Sequence, residues 1–519
     1  MRSTVRLRIL ITCGVLLAAG IGGWQLLPSD DERTDPITVG TTDEVTSLDP
    51  AGAYDAGSWA IYSNIYQSLL TFKPGFTTPV PDAAESCRFV GTRLTTYECT
   101  LRDDLSFSNG HKITAEDVRY SFERMLAIKA DVGPAPLFPT LKNVEAEGRK
   151  VTFHLTARDA TFPLKIATGA GAIVDHTAYP AKSLRAGDAV DGSGPYVLKE
   201  YKPGESARLE PNPNYRGAIT KTGHTVVVKY FKESEQLATA WKNKQLQVTH
   251  RQMPPAFLNA LGDEPKDGTR VTEAASAEIR NLNFNTRPGA VMSKKAVRQA
   301  IAAVVDRPAI ATGPYQGTVE PLYSLIPQGF VGHSTAFYDI NPEPDPDKAK
   351  RLLREAGVST PVSITFGHRT DATYAAEAAE LKKQLEASGL FKVTVKSVDW
   401  QNFQKEYAAG KFDVYPVGWF PDFADSDNFT APLVGTGNAL HNSYSSEKVD
   451  ALIAATQQYS DRGRAAGDFK SIQDEVAKDV PLVPLWQKKD YVISTEAVAG
   501  SQYLTDGTGI WRLWELSWI

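Results

Sequence analysis

A chain of 519 residues is too long for a single hydrophobic core and implies roughly two to four domains. Its 42% apolar and 23% charged residues are ordinary globular usage. The net charge of −5 excludes the basic surface that nucleic-acid binding needs.

Arg2, Arg6 and Arg8 precede an apolar run from Ile9 to Leu27, which Pro28-Ser29-Asp30-Asp31-Glu32 ends. A basic start, an apolar middle and a polar exit make an export segment. Small residues between Ala18 and Gly23 offer cleavage sites. The run is about 19 residues, long enough for an uncleaved anchor that would hold the body outside the cytoplasm. Cys13 is a poor lipidation site, because Thr12 precedes it and Gly14-Val15-Leu16-Leu17 follow. Residues 28–36 are acidic, contain two prolines and read as a tether.

Ordered structure is expected from the strand at Ile37-Thr38-Val39-Gly40, followed by helical spacing at Ile61, Ile65 and Leu69. Cys87 and Cys99 flank two strand-like runs that turn near Gly91 to Arg93, which places them on facing strands. An even pair behind an export signal predicts a disulfide. Thr114 and Asp117 have capping-box spacing, and Val118, Phe122, Met125 and Leu126 continue a buried stripe that must end before Gly133. Thr225 to Tyr230 is a strand. Lys295 to Val305 is a helix with Val297, Ala300, Ile301, Val304 and Val305 on one face.

The stretch 346–418 carries the topology. A helix opens at Pro346 and ends at Gly357. Val362-x-Ile364-x-Phe366 alternates as a strand, Tyr374 to Ser388 is a helix stopped by Gly389, and strands follow at 392–398 and 412–417. Strand, helix, strand in that order requires a parallel crossover, hence an α/β domain.

Catalytic signatures are absent. There is no Gly-x-Ser-x-Gly elbow, no His-Glu-x-x-His and no phosphate loop ending in Gly-Lys-Ser/Thr. The eight histidines show no metal-ligand spacing with another His or Cys. The reading calls for no enzyme, no cofactor and no metal.

One long segment is specific. Tyr97 to Gly110, with Ile113-Thr114-Ala115-Glu116-Asp117-Val118 and Ser121-Phe122-Glu123-Arg124, resembles the signature of the family 5 extracellular solute-binding proteins. Ser47-Leu48-Asp49-Pro50, Gly192-Ser193-Gly194-Pro195-Tyr196, Val297-Arg298-Gln299-Ala300-Ile301 and Val480-Pro481-Leu482-Val483-Pro484-Leu485 follow in the family's order. The resemblance covers about 40–515. Most of these motif residues serve the fold, with Arg298 expected at the surface or between lobes.

The resemblance implies a bacterial, extracytoplasmic, monomeric receptor of an ABC importer. Its implied fold is α/β: a bilobal periplasmic-binding-protein-like fold (type II) with an extra α+β domain. The implied parts are 1–36 as export signal or anchor plus tether, and 37–80, 193–278 and 495–519 as lobe I. Residues 81–192 form the extra domain and 279–494 lobe II. The implied ligand is a peptide in the interlobe cleft. Its partners are an ABC permease and ATPase, with the membrane met through the N-terminal segment. The alternatives are an oligosaccharide, metal chelate or haem receptor, or a sensing module without transport.

Site residues carry over from the same resemblance. In Gly418-Trp419-Phe420-Pro421-Asp422-Phe423-Ala424-Asp425, Asp422 stands where peptide-binding relatives put the carboxylate that meets the α-ammonium. Trp419 would line the wall, with Asp425 as a further candidate. Each has a plainer role as a loop or core residue. Arg369, helped by His368, is the implied carboxylate partner, against the alternative of a solvated surface arginine. Thr46 and Ser47 lie where relatives bring a strand near the cleft.

Overall fold

Apolar alternation and β-branched runs build three sheets of four or more strands, and the computed structural model shows how they are wired. It describes residues 35–519 except 221–222, 263–267, 275 and 506. The export segment, Cys13 and the tether up to residue 34 lie outside the described residues. Residues 36–517, with Ile519, form one compact unit. Among the described residues no helix is long and apolar enough to cross a membrane.

The first large sheet has seven strands. From one edge to the other they are Thr269–Ala274, Asp490–Thr495, Val248–His250, Ile37–Thr41, Val226–Tyr230, Ser206–Pro211 and Tyr196–Lys202. Ile37–Thr41 is parallel to both its neighbours, and the outer pairs are antiparallel.

The second has six, in the order Val319–Pro321, Leu482–Lys488, Ile279–Phe284, Val414–Trp419, Val362–Arg369 and Phe391–Val398. The expected crossover is here: Val362–Arg369 pairs in parallel with Phe391–Val398, from Val362↔Phe391 to Arg369↔Val398, through the helix Ala372–Ala387. Val414–Trp419 runs parallel on the other side. Arg369 and Trp419 therefore both sit at carboxyl ends of parallel strands, where open α/β sheets place their ligands.

Both faces of this sheet are covered, because successive residues of a strand point to opposite sides. Leu282, Phe284 and Val414 meet one core, fed by Val297 and Ile301 of helix Lys295–Val304 and by Leu381 of Ala372–Ala387. Ile279, Tyr415 and Val417 meet the other, with Phe403, Tyr407, Phe469 and Ile472. The Lys295–Val304 stripe is buried as its spacing requires.

The chain passes between the two large sheets twice, between Ala274 and Ile279 and between Lys488 and Asp490. It re-enters the seven-stranded sheet at Asp490, earlier than the expected residue 495. The two passages are tied together: Lys488 N donates to Glu278 O at 3.0 Å, and the two side chains form an ion pair at 3.2 Å.

A smaller antiparallel sheet orders Ala84–Phe89, Thr96–Leu101, Lys150–Leu155 and Leu141–Glu147, with helix Ala115–Ile128 packed on it. Cys87 faces Cys99 in the hairpin register and is bonded to it. The Thr114–Asp117 capping box is formed, and the helix ends before Gly133 on Lys129 in the left-handed region.

Distant motif segments meet here. Arg124 of Ser-Phe-Glu-Arg grips Asp49 of Ser-Leu-Asp-Pro through both oxygens, at 2.8 and 2.5 Å, with both side chains buried. Arg298 is not at the surface. It is buried and its guanidinium donates to the carbonyls of Met292, Ser293, Asp479 and Val480.

Candidate ligand-binding cleft

The carboxyl ends of Val362–Arg369 and Val414–Trp419 face the segment Asp43–Trp59, and a cleft opens between them. Its void, open side included, measures about 1090 Å³. Aromatic rings form much of the wall: Tyr54 stacks on Trp59 with centroids 5.0 Å apart and meets the edge of Trp419 at 5.7 Å. Trp400, Phe403 and Tyr407 also line it.

Asp422 lines this cleft and is 6% exposed. Its position is fixed by the loop that carries it. Asn428 Oδ1 accepts from Asp422 N at 2.8 Å, and Asn428 Nδ2 donates back to Asp422 Oδ2 at 2.8 Å. Trp419 Nε1 donates to Asn428 O at 2.9 Å, so Asn428 positions wall and carboxylate together. Tyr54 Oη donates to the same Asp422 Oδ2 at 2.6 Å. Both bonds land on one oxygen. Among the described residues no hydrogen bond reaches Oδ1, and no cation pairs with the carboxylate. Burial pushes the Asp422 carboxyl up to about 7, against the pull of the Tyr54 and Asn428 bonds. Burial, then the nearby Asp422 charge, holds the Tyr54 hydroxyl well above its ordinary value.

Arg369 also lines the cleft. Its Nη2 donates to Thr42 O at 2.8 Å, its guanidinium lies 5.5 Å from the Trp400 ring centre, and Glu44 Oε1 is 3.7 Å away. It bridges the six-stranded sheet to the segment after Ile37–Thr41. The remaining candidates are placed elsewhere. His368, the neighbouring residue on the strand, is buried outside the cleft lining, with Nδ1 2.8 Å from Arg369 O, and burial lowers its basicity. Asp425 caps the turn Ser426–Phe429 and holds Arg462 through both oxygens, at 2.7 and 2.9 Å. Thr46 bonds Asp55 through Oγ1 and Ser58 through its backbone, and Ser47 exchanges bonds with Asp49. None of these four residues lines the cleft.

The sequence of residues 78–440 matches the family described as bacterial extracellular solute-binding proteins, family 5 Middle. That span is well over half of the chain. The chain belongs to this family. Its members are extracytoplasmic solute-binding receptors of bacteria. A probable D,D-dipeptide-binding periplasmic protein, DdpA, of Escherichia coli (strain K12) is 27% identical over 488 residues, covering 90% of this chain and 91% of that protein. The fold is shared with the periplasmic binding protein DppA from Helicobacter pylori, solved with the peptide STSA. The TM-score is 0.82 at 22% identity, over 93% of this chain and 98% of that one. It is shared equally with the binding protein AgaA of A. tumefaciens R10, solved with agropinic acid, with a TM-score of 0.82 at 20% identity over 93% and 99%. The type II bilobal α/β architecture of the family is thus the architecture of this chain.

Several cleft residues carried no motif. Asp55 lines the cleft and caps helix Ala56–Ile65, taking Ser58 N at 2.8 Å on Oδ1. Its signal was an Asp three residues before a Ser at a helix start. Arg280 lines the cleft from a strand whose six residues are all buried, and pairs with Glu377 at 2.9 Å. A charge within the strand run Ile279–Phe284 was the available sign. Glu278 lines it as well, and burial raises its carboxyl above the ordinary range while Lys488 pulls it down.

Proposed function

We propose that this protein is the solute receptor of an ABC importer. It holds a peptide with a free amino terminus in the cleft and performs no chemistry on it. The observation that carries this is Asp422: a nearly buried carboxylate in the cleft lining whose Oδ1 takes no hydrogen bond and which pairs with no cation among the described residues. An α-ammonium supplies the missing charge and a short, strong hydrogen bond. Trp419 and Tyr54 form the wall beside it.

Arg369 is the partner assigned to the ligand's carboxylate, shared with Glu44. Because Arg369 already reaches Thr42 O, its guanidinium couples ligand contact to closure. The two passages at 274–279 and 488–490 are the hinges, and a ligand touching both sides favours the closed state. A permease and its ATPase would read that state, with the N-terminal segment holding the protein at the outer face of the membrane. The parentage of the peptide reading is shared by DdpA, a probable D,D-dipeptide binder by its own name, while AgaA was solved with a different solute.

Thermal melting separates these. A pool of short peptides with free amino termini should raise Tm by several degrees, as any ligand selective for the folded state does. The same pool acetylated at its amino termini should not. A shift that survives acetylation, or no shift with the free pool, contradicts the reading.

A further inference from the structure

The cleft's charges do not balance. Five carboxylates line it, Asp43, Glu44, Asp55, Glu278 and Asp422, against two guanidiniums, Arg280 and Arg369. Most have protein partners. Asp43 takes Arg251 Nε at 2.7 Å, Glu278 takes Lys488 at 3.2 Å, and Arg280 is neutralised by Glu377 at 2.9 Å. Arg369 faces Glu44 at 3.7 Å. Two carboxylates are left over. Among the described residues Asp422 has only Tyr54 and Asn428, and Asp55 has only Ser58 and Thr46. All four are neutral donors. The α-ammonium answers one leftover charge and leaves the other.

Building on the reading of Asp422 as the amine anchor, we infer that the ligand carries a second cationic group, a basic side chain on one of its first two residues, and that Asp55 receives it. The geometry favours this. Asp55 follows Tyr54, whose hydroxyl bonds Asp422, and both carboxylates line the same cleft. Tyr54, Trp59 and Tyr407 line the same cleft, and an aromatic lining suits ammonium and guanidinium groups. The protonation behaviour agrees. Burial pushes the Asp55 carboxyl up to about 6 even though Thr46 and Ser58 pull it down, and burial, then the Asp55 charge, holds the Tyr407 hydroxyl above its ordinary value. Without a cation in the cleft, each of these two groups gains from holding a proton.

Titration calorimetry tests the assignment with tripeptides bearing lysine at the first or the second position and alanine elsewhere, each against its norleucine counterpart. Norleucine has lysine's length without its charge. At one of the two positions lysine should bind at least about tenfold tighter than norleucine. In Asp55→Asn that ratio should collapse towards one. Asparagine is as good an N-cap as aspartate, so the helix start is kept, and an unchanged melting temperature checks it. Norleucine binding as tightly as lysine at both positions overturns the inference and leaves the amine anchor standing. So does a lysine preference that survives in Asp55→Asn. No binding of any of the four peptides overturns the amine-anchor reading itself, and the inference falls with it.

Discussion

Asp422→Asn should weaken peptide binding by about 2–5 kcal/mol, because it strands the ligand's ammonium in a nearly dry site. The same change should make the empty protein more stable above pH 7. The folded carboxyl is held at about 7, against an ordinary value of 3.8. A raised folded value means that the protonated form fits the fold. Its contribution is complete below the ordinary value and is lost as pH rises through about 7. At about 1.4 kcal/mol per pKa unit, the ionised form costs the empty protein on the order of 4 kcal/mol. Asparagine stays neutral, and its single oxygen can still accept from both Tyr54 and Asn428, since both bonds already share Oδ2. Peptide affinity of the unaltered protein should fall about tenfold for each pH unit below 7, as a proton competes with the ammonium. Denaturant titrations at pH 5 and 8, beside calorimetry at the same pH values, read both effects. An Asn variant that binds normally, or affinity that is flat from pH 8 to 5, would contradict this.

The second large effect lies behind the cleft. Glu377→Ala should cost about 3–5 kcal/mol of stability, since it leaves a buried guanidinium without its counter-charge. Glu377 is fully buried on helix Ala372–Ala387. Its Oε1 accepts from Arg280 Nε at 3.0 Å, and its Oε2 accepts from Tyr315 Oη at 2.8 Å and Trp486 Nε1 at 2.9 Å. Three donors lose their acceptor together. The Arg280 guanidinium, 4.3 Å from the Tyr374 ring centre, has little room to leave. The urea midpoint measures the loss. Replacing both partners by apolar residues, Arg280→Met with Glu377→Leu, should recover much of it, because removing a buried pair costs far less than breaking one. A single variant within about 1 kcal/mol of the parent would contradict this account of Arg280. The variant also bears on function, since an unpaired cation in the wall opposes a ligand ammonium.

The fold was legible where local chemistry and periodicity agreed. Capping residues, the Lys295–Val304 stripe and the strand–helix–strand order at 362–398 each followed from spacing alone. The disulfide followed from a facing pair of cysteines. Arg298 misled because an arginine on a helix is usually solvated; here its guanidinium caps the carbonyls of nearby Met292 and Ser293 and of the distant Asp479 and Val480. Asp425 resembled Asp422 in sequence, yet the turn at Ser426–Phe429 aims it at Arg462 and away from the cleft. His368 neighbours Arg369 on the strand, yet it is buried outside the cleft lining with its Nδ1 on Arg369 O. Asp55, Glu278 and Arg280 were not legible as site residues because a helix cap and the start of a buried strand meet only in the folded chain.

A structure of the protein with a bound peptide, grown from material that releases a small primary amine on denaturation, puts the central claim to its most direct test. The expected result is the ligand's terminal nitrogen within hydrogen-bond distance of Asp422 Oδ1, with Trp419 and Tyr54 against its first residue. A ligand lodged elsewhere, with Asp422 still meeting only Tyr54 and Asn428, would contradict it.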